Sequence, residues 1–155
     1  LNDVVIKAKR ISDTQVQYEI AACGARNELY IRNVDDAWEN TEVHALFGKE
    51  PGTFINSEAN ADNIKTVILK KTVSDTFTFL DKNCQPYLYD KTINKTIKLA
   101  TKGEDPHGIM VPTNFKYPLE KVCIKDAYLK FNEWGQNSVS YTNWYDSSQK
   151  DKVHN

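Results

Sequence analysis

Gln15-Val16-Gln17-Tyr18-Glu19-Ile20-Ala21-Ala22 decides the fold class. Its apolar residues recur at every second position. Val16, Tyr18, Ile20 and Ala22 therefore share one face, and Gln15, Gln17 and Glu19 the other. That period belongs to a half-buried β-strand. Upstream, Val4-Val5-Ile6-Lys7-Ala8-Lys9-Arg10-Ile11 reads as a second strand. The short polar link Ser12-Asp13-Thr14 predicts that the two pair as a hairpin.

Downstream, Cys23-Gly24-Ala25-Arg26-Asn27 reads as a turn and Leu29-Tyr30-Ile31 as a short strand. Residues 33–40 are acidic and loop-like and contain Trp38. Residues 41–47 fit either a strand or a helical turn. Residues 48–63, with Pro51-Gly52, read mostly as loop. Alternation returns at 64–73 through Ile64, Thr66 and Ile68, and continues in Thr76-Phe77-Thr78-Phe79-Leu80. Tyr87-Leu88-Tyr89 and residues 92–99 predict another hairpin, bent near Asp90-Lys91. Ile109-Met110-Val111 and Lys121-Val122-Cys123-Ile124 add short strands around a link from Pro112 to Pro118. One helix is expected, with Asp126 as N-cap and Gly135 just past its end. Ala127, Phe131 and Trp134 would lie on one face of it, with Tyr128 beside them. The total is roughly eight or nine strands with no strand–helix–strand period and no internal repeat. The expected fold is all-β, an antiparallel β-sandwich of jelly-roll-like type with one or two short helices.

The 155 residues predict one domain spanning 1–155. With 20 Lys+Arg against 21 Asp+Glu, the net charge of −1 argues against a dedicated nucleic-acid binder. No apolar run approaches the ~18 residues of a membrane-spanning helix, so no membrane insertion is expected. Charge is uneven: residues 1–62 hold 6 basic and 11 acidic groups, residues 63–155 hold 14 and 10. No focused patch accompanies this, and solvated strand and loop faces account for it. The chain opens on Leu1-Asn2-Asp3-Val4-Val5-Ile6 with a strand almost at once, as a mature or excised fragment would.

Motifs that carry chemistry are missing. His44, His107 and His154 form no zinc-type spacing. Phosphate loops and G-x-S-x-G turns are absent. His44 reads as a structural hydrogen-bonding residue. Cys23 and Cys123, in apolar runs, read as small core residues, and Cys84 sits in a polar turn. No intramolecular disulfide is expected. Asp35, Asp36 and Glu39 match no calcium-loop spacing, and no cofactor is expected.

The C-terminal third carries the most distinctive string. It runs Pro106-His107-Gly108-Ile109-Met110-Val111-Pro112, Phe115-Lys116-Tyr117-Pro118-Leu119-Glu120-Lys121-Val122 and Ile124-Lys125-Asp126-Ala127-Tyr128. Phe131, Trp134-Gly135 and Trp144-Tyr145 follow. Leu1-Asn2-Asp3-Val4-Val5, Glu42-Val43-His44, Phe47-Gly48 and Phe54-Ile55-Asn56 extend the similarity. The chain resembles the LruC domain family, a domain of unknown function in bacterial surface lipoproteins. The resemblance implies an all-β module at the C-terminal end of a longer secreted or outer-membrane-anchored protein. It carries over no catalytic activity. It also implies an acidic, calcium-loop-like segment upstream of Asn2-Asp3, so Ca²⁺ would belong to the full-length protein. Gly108 is expected to allow a close backbone approach or a positive φ.

Three functions compete at this stage. The first is a non-catalytic surface module that binds glycan or a cell-surface protein. The second is a carbohydrate hydrolase using paired carboxylates. The third is a structural spacer. Aromatics in polar loops would supply a sugar-stacking surface. That selects Trp38 in the acidic loop, with Trp38 the best candidate for exposure, and Tyr141, Trp144 and Tyr145 in the polar stretch 138–149. The competing reading is that Trp144 and Tyr145 fold back and cap the core.

Overall fold

In the computed structural model, residues 4–59, 64–101, 104, 107–112 and 115–154 are described. Asn2, Asp3 and Pro106 lie outside them. The protein is all-β, built on two antiparallel sheets of three strands each. β1 (Val5–Ser12) and β2 (Gln15–Ala22) form the expected hairpin, and β4 (Val67–Thr72) pairs with the far side of β2. The second sheet orders β3 (Leu29–Arg32), β5 (Tyr87–Asp90) and β6 (Lys95–Ile97). The chain thus passes from the first sheet to the second at β3, back at β4, and over again at β5.

β2 behaves as its alternation demands. Val16, Tyr18 and Ile20 are fully buried and meet Leu29 and Ile31 of the second sheet in one core. β4 is inverted relative to its sequence reading. Tyr18 pairs with Leu69 and Ile20 with Val67, so Val67 and Leu69 turn inward and Ile68 is exposed. A shift of one residue exchanges the two faces of a strand, and pairing with β2 sets the register.

Six strands form among the described residues, fewer than the sequence suggested. Residues 76–80 are turns, although Phe77 and Phe79 still pack on the core. The acidic loop holds α1 (Asp36–Glu39), and 41–47 resolves into α2 (Val43–Leu46). The single predicted helix is two, α3 (Ile124–Ala127) and α4 (Phe131–Gln136). The break falls at Tyr128, whose hydroxyl donates to the Lys116 carbonyl at 2.7 Å and accepts from the Lys116 N–H at 3.2 Å. A tertiary anchor there outweighs helix continuation, and Asp126 and Gly135 end up inside helical turns. Cys123 is exposed at the start of α3, because its run is a turn and not a strand.

Asparagines hold the irregular segments. Asn56 sits at φ 51°, donates to the carbonyls of Ala21 and Ile64, and accepts from the Ile64 N–H at 2.8 Å. Asn33, at φ 62°, donates to the carbonyls of Asn83 and Gln85. Asn tolerates this left-handed backbone better than most residues. Gly108 meets its expectation: a Cβ there would lie 2.9 Å from the Lys98 carbonyl oxygen.

Candidate functional site

The four aromatics selected from sequence do not assemble. Asp35 caps α1 by accepting from the Ala37 N–H at 3.0 Å, and the turn this starts directs Trp38 into the sheet core, 3% exposed. Its acidic neighbours are cap and first-turn residues, and the expected exposure of Trp38 gives way to burial. Trp144 is 4% exposed in a second cluster. Its ring meets Phe115, Tyr128, Phe131, Trp134 and Tyr145 at centroid distances of 4.9–5.9 Å. Tyr145 is half-buried there. Tyr141, at φ 52°, is the open ring of the four, 47% exposed, with the Lys130 ammonium 4.6 Å from its centroid. Large aromatic surfaces are worth more inside than out, and that wins over their polar sequence surroundings.

A second constellation has the order of a nucleophile, a base and its orienting acid. Glu42 caps α2, accepting from the N–H groups of His44 and Ala45, and also from the Leu29 N–H of β3. The same carboxylate lies 2.7 Å from His44 Nδ1. His44 Nε2 faces the Ala25 carbonyl at 3.1 Å and Cys23 Sγ at 3.5 Å. Geometry of this kind activates thiols in enzymes. Here Cys23 and His44 are 0% exposed and Glu42 9%, so no substrate reaches the sulfur. The group is an internal brace that ties α2 to β3 and to the end of β2. His44 and Cys23 stand where their structural reading put them. In the sequence Glu42 stands only within the Glu42-Val43-His44 similarity, because Glu is not among the usual N-cap residues.

Beside this brace opens a hollow of about 320 Å³. Ala25 and Leu29 belong to both, and form its floor with Asp90, which is 4% exposed. Asp90 Oδ2 accepts from the Asn27 side-chain amide at 2.6 Å, and Oδ1 from the Ile93 N–H at 3.3 Å. Half-buried Phe54 and Glu120 form walls. Glu120 is held by its own N–H, which donates to the Ser57 carbonyl at 2.6 Å. Its Oε2 is buried with no hydrogen-bond partner among the described residues. Exposed Arg26, stacked 5.5 Å over Phe54, and Lys121, at φ 66°, stand at the rim. The turns that carry these groups are pinned together. Lys91 donates from its backbone to the Glu28 carbonyl, and its ammonium lies 2.7 Å from the Glu28 carboxylate. The Lys91 contact, and the Tyr30 hydroxyl after it, hold the Glu28 carboxyl below its usual range. Asn27, Phe54, Asp90 and Glu120 come from separate segments, so no spacing in the sequence announces the hollow. A second, more polar hollow lies between Lys7, Asn56, Lys65, Tyr117 and His154.

Residues 82–145 match a family model described as a domain of unknown function (DUF4842). The match covers β5, β6, both C-terminal helices and Trp144. It therefore includes Asp90, Glu120 and Lys121 of the hollow, while Arg26, Asn27 and Phe54 fall before it. No curated protein and no solved structure matches the chain.

Among the described residues, no three His, Cys, Asp or Glu side chains are placed to hold a metal ion. The loop acids have other work: Asp35 caps α1, and Glu39 accepts from the Val34 N–H at 2.8 Å. No helix of the described residues is long and apolar enough to cross a membrane.

Proposed function

We propose that the chain is a non-catalytic, LruC-like module of a bacterial cell-surface or secreted protein, and that it binds glycan. The observation that carries this reading is the closure of the Cys23–His44–Glu42 group. Among the described residues, the set of side chains with the order of a nucleophile, a base and an orienting acid is committed to bracing the sandwich. An open hollow lined by a buried carboxylate, an amide and an aromatic ring supports glycan binding, because sugar sites combine apolar surface with a few placed polar groups. Extracytoplasmic placement, and any Ca²⁺ site in the full-length protein, rest on the resemblance.

A second reading has one observation in its favour. Asp90 and Glu120 line the same hollow, as the acid and base of a hydrolase would. A glycan array probed with the purified domain, with and without Ca²⁺, separates the two. Retention of intact glycans is expected. New reducing ends released from the bound oligosaccharide would replace the binding reading with the hydrolase.

A further inference from the structure

Three features of the hollow narrow its ligand. The first is a surplus of acceptors at depth. Asp90 is almost wholly buried, and its oxygens are met by an amide and by one backbone N–H at 3.3 Å. Glu120 adds a second, half-buried carboxylate to the lining. Carboxylates that line a hollow favour a ligand that brings O–H or N–H donors. The second is the apolar surface beside them. Phe54 lines the same hollow as Asn27, Asp90 and Glu120. A sugar carries an apolar face as well as hydroxyl donors, and uses both kinds of surface. The third is the sign of the rim: Arg26 and Lys121 are both exposed cations at the mouth. The gradient runs from carboxylates below to cations above.

We infer that this hollow is a subsite for one carboxylated sugar ring, its hydroxyls donating to Asp90 and Glu120 and its carboxylate meeting Arg26 and Lys121. The inference rests on the glycan-binding reading and adds to it a place and a chemical class. The volume of about 320 Å³ is at the small end for ligand sites and suits a single ring of a longer chain. Arg26 is already oriented by its stack on Phe54, which lowers the cost of fixing its guanidinium on an incoming carboxylate.

The test is titration of the ¹⁵N-labelled chain with glucuronic acid, glucose and ethanolamine in separate NMR series. Glucuronic acid is expected to move the amides of residues 24–29 and 120–121 and the Asn27 side-chain amide. Its affinity should exceed that of glucose by about fivefold, the gain that exposed charge pairs provide. The double variant Arg26→Ala, Lys121→Ala changes only exposed positions. It should keep the wild-type spectrum elsewhere and bring glucuronic acid down to the glucose level. Equal affinities for the two sugars in the unaltered chain would overturn the acidic class. Ethanolamine binding without sugar binding would replace the sugar with a cation. Silence of these amides while an array shows glycan retention would overturn the site and leave the glycan-binding reading standing. Silence on both would remove both.

Discussion

In the sheet core, Val16, Tyr18 and Ile20 are buried because every second residue of β2 points inward, and Leu29 and Ile31 answer from β3. Around Trp144 nothing repeats. Phe115, Tyr128, Phe131, Trp134 and Tyr145 arrive from turns and short helices, and the indole they surround is the one ring that all five meet. The first core is distributed over backbone ladders. The second is concentrated on one side chain, and its links to the first include Tyr117 donating to the Asn56 carbonyl and His154 against the Ser57 carbonyl. Periodic burial spreads the consequence of a mutation along a strand. Burial around a hub gathers it at one residue.

The sharpest way to break this contrast is a matched pair of tryptophan truncations. Trp144→Ala should cost about 3–5 kcal/mol. Hydrogen exchange should then show amides in 115–154 opening while those of 16–22 stay protected. Trp38→Ala should cost a similar amount and open the sheet amides instead. If either variant exposes both regions equally, the chain is one cooperative unit and the contrast fails.

A smaller effect tests the brace. Glu42→Gln keeps the shape but removes the charge that serves His44, Ala45 and Leu29. A loss of about 2–3 kcal/mol is expected, read as a lower urea midpoint. An unchanged midpoint would mean that the brace contributes nothing to the sheet core.

The finest test uses two tyrosines. Tyr128 has its hydroxyl paired with both backbone groups of Lys116, so Tyr128→Phe should cost about 1–2 kcal/mol. The Tyr18 hydroxyl is buried and has no hydrogen-bond partner among the described residues. Tyr18→Phe should therefore be neutral near pH 7, or stabilising by up to about 1 kcal/mol. Burial first, and the nearby Cys84 second, push the Tyr18 phenol from 10.0 up to about 12. The unfolded chain gives up this proton near 10.0 and the folded chain near 12. The contribution is thus whole below the first value and falls as pH rises to the second. Urea midpoints across this alkaline window should drop less for Tyr18→Phe than for the unaltered chain. Parallel curves would assign the loss to another group.

The two regions also differ in what the sequence discloses. Alternation is a local signal, so the β1–β2 hairpin, β3 and the β5–β6 pair are legible from their own residues. The face of β4 is not, since both Ile68 and Leu69 are apolar and the choice belongs to Tyr18 and Ile20 across the ladder. Trp38 misleads for a related reason. Acidic neighbours mark a solvated loop and a helix N-terminus alike, and Asp35 uses its carboxylate for the latter. The predicted long helix fails at Tyr128 because the anchoring Lys116 lies in a different segment. The hollow is the extreme case: one side of it is the run 24–29, and Phe54, Asp90 and Glu120 reach it only through tertiary contacts.

The ladders that build the sandwich join distant parts of the chain. β2 must wait for β4, with Gln15 opposite Thr72, and β3 for β5, with Leu29 opposite Asp90. During synthesis the hairpin emerges before β4, and the outer edge of β2 has no strand to pair with until residues 67–72 follow. Folding is then governed by the closing of long loops, on the millisecond-to-second scale of high-contact-order domains. A nascent chain halted before residue 67 would display the backbone edge of β2, from Gln15 to Ile20, without its partner strand. That surface invites a neighbouring copy to supply the missing strand.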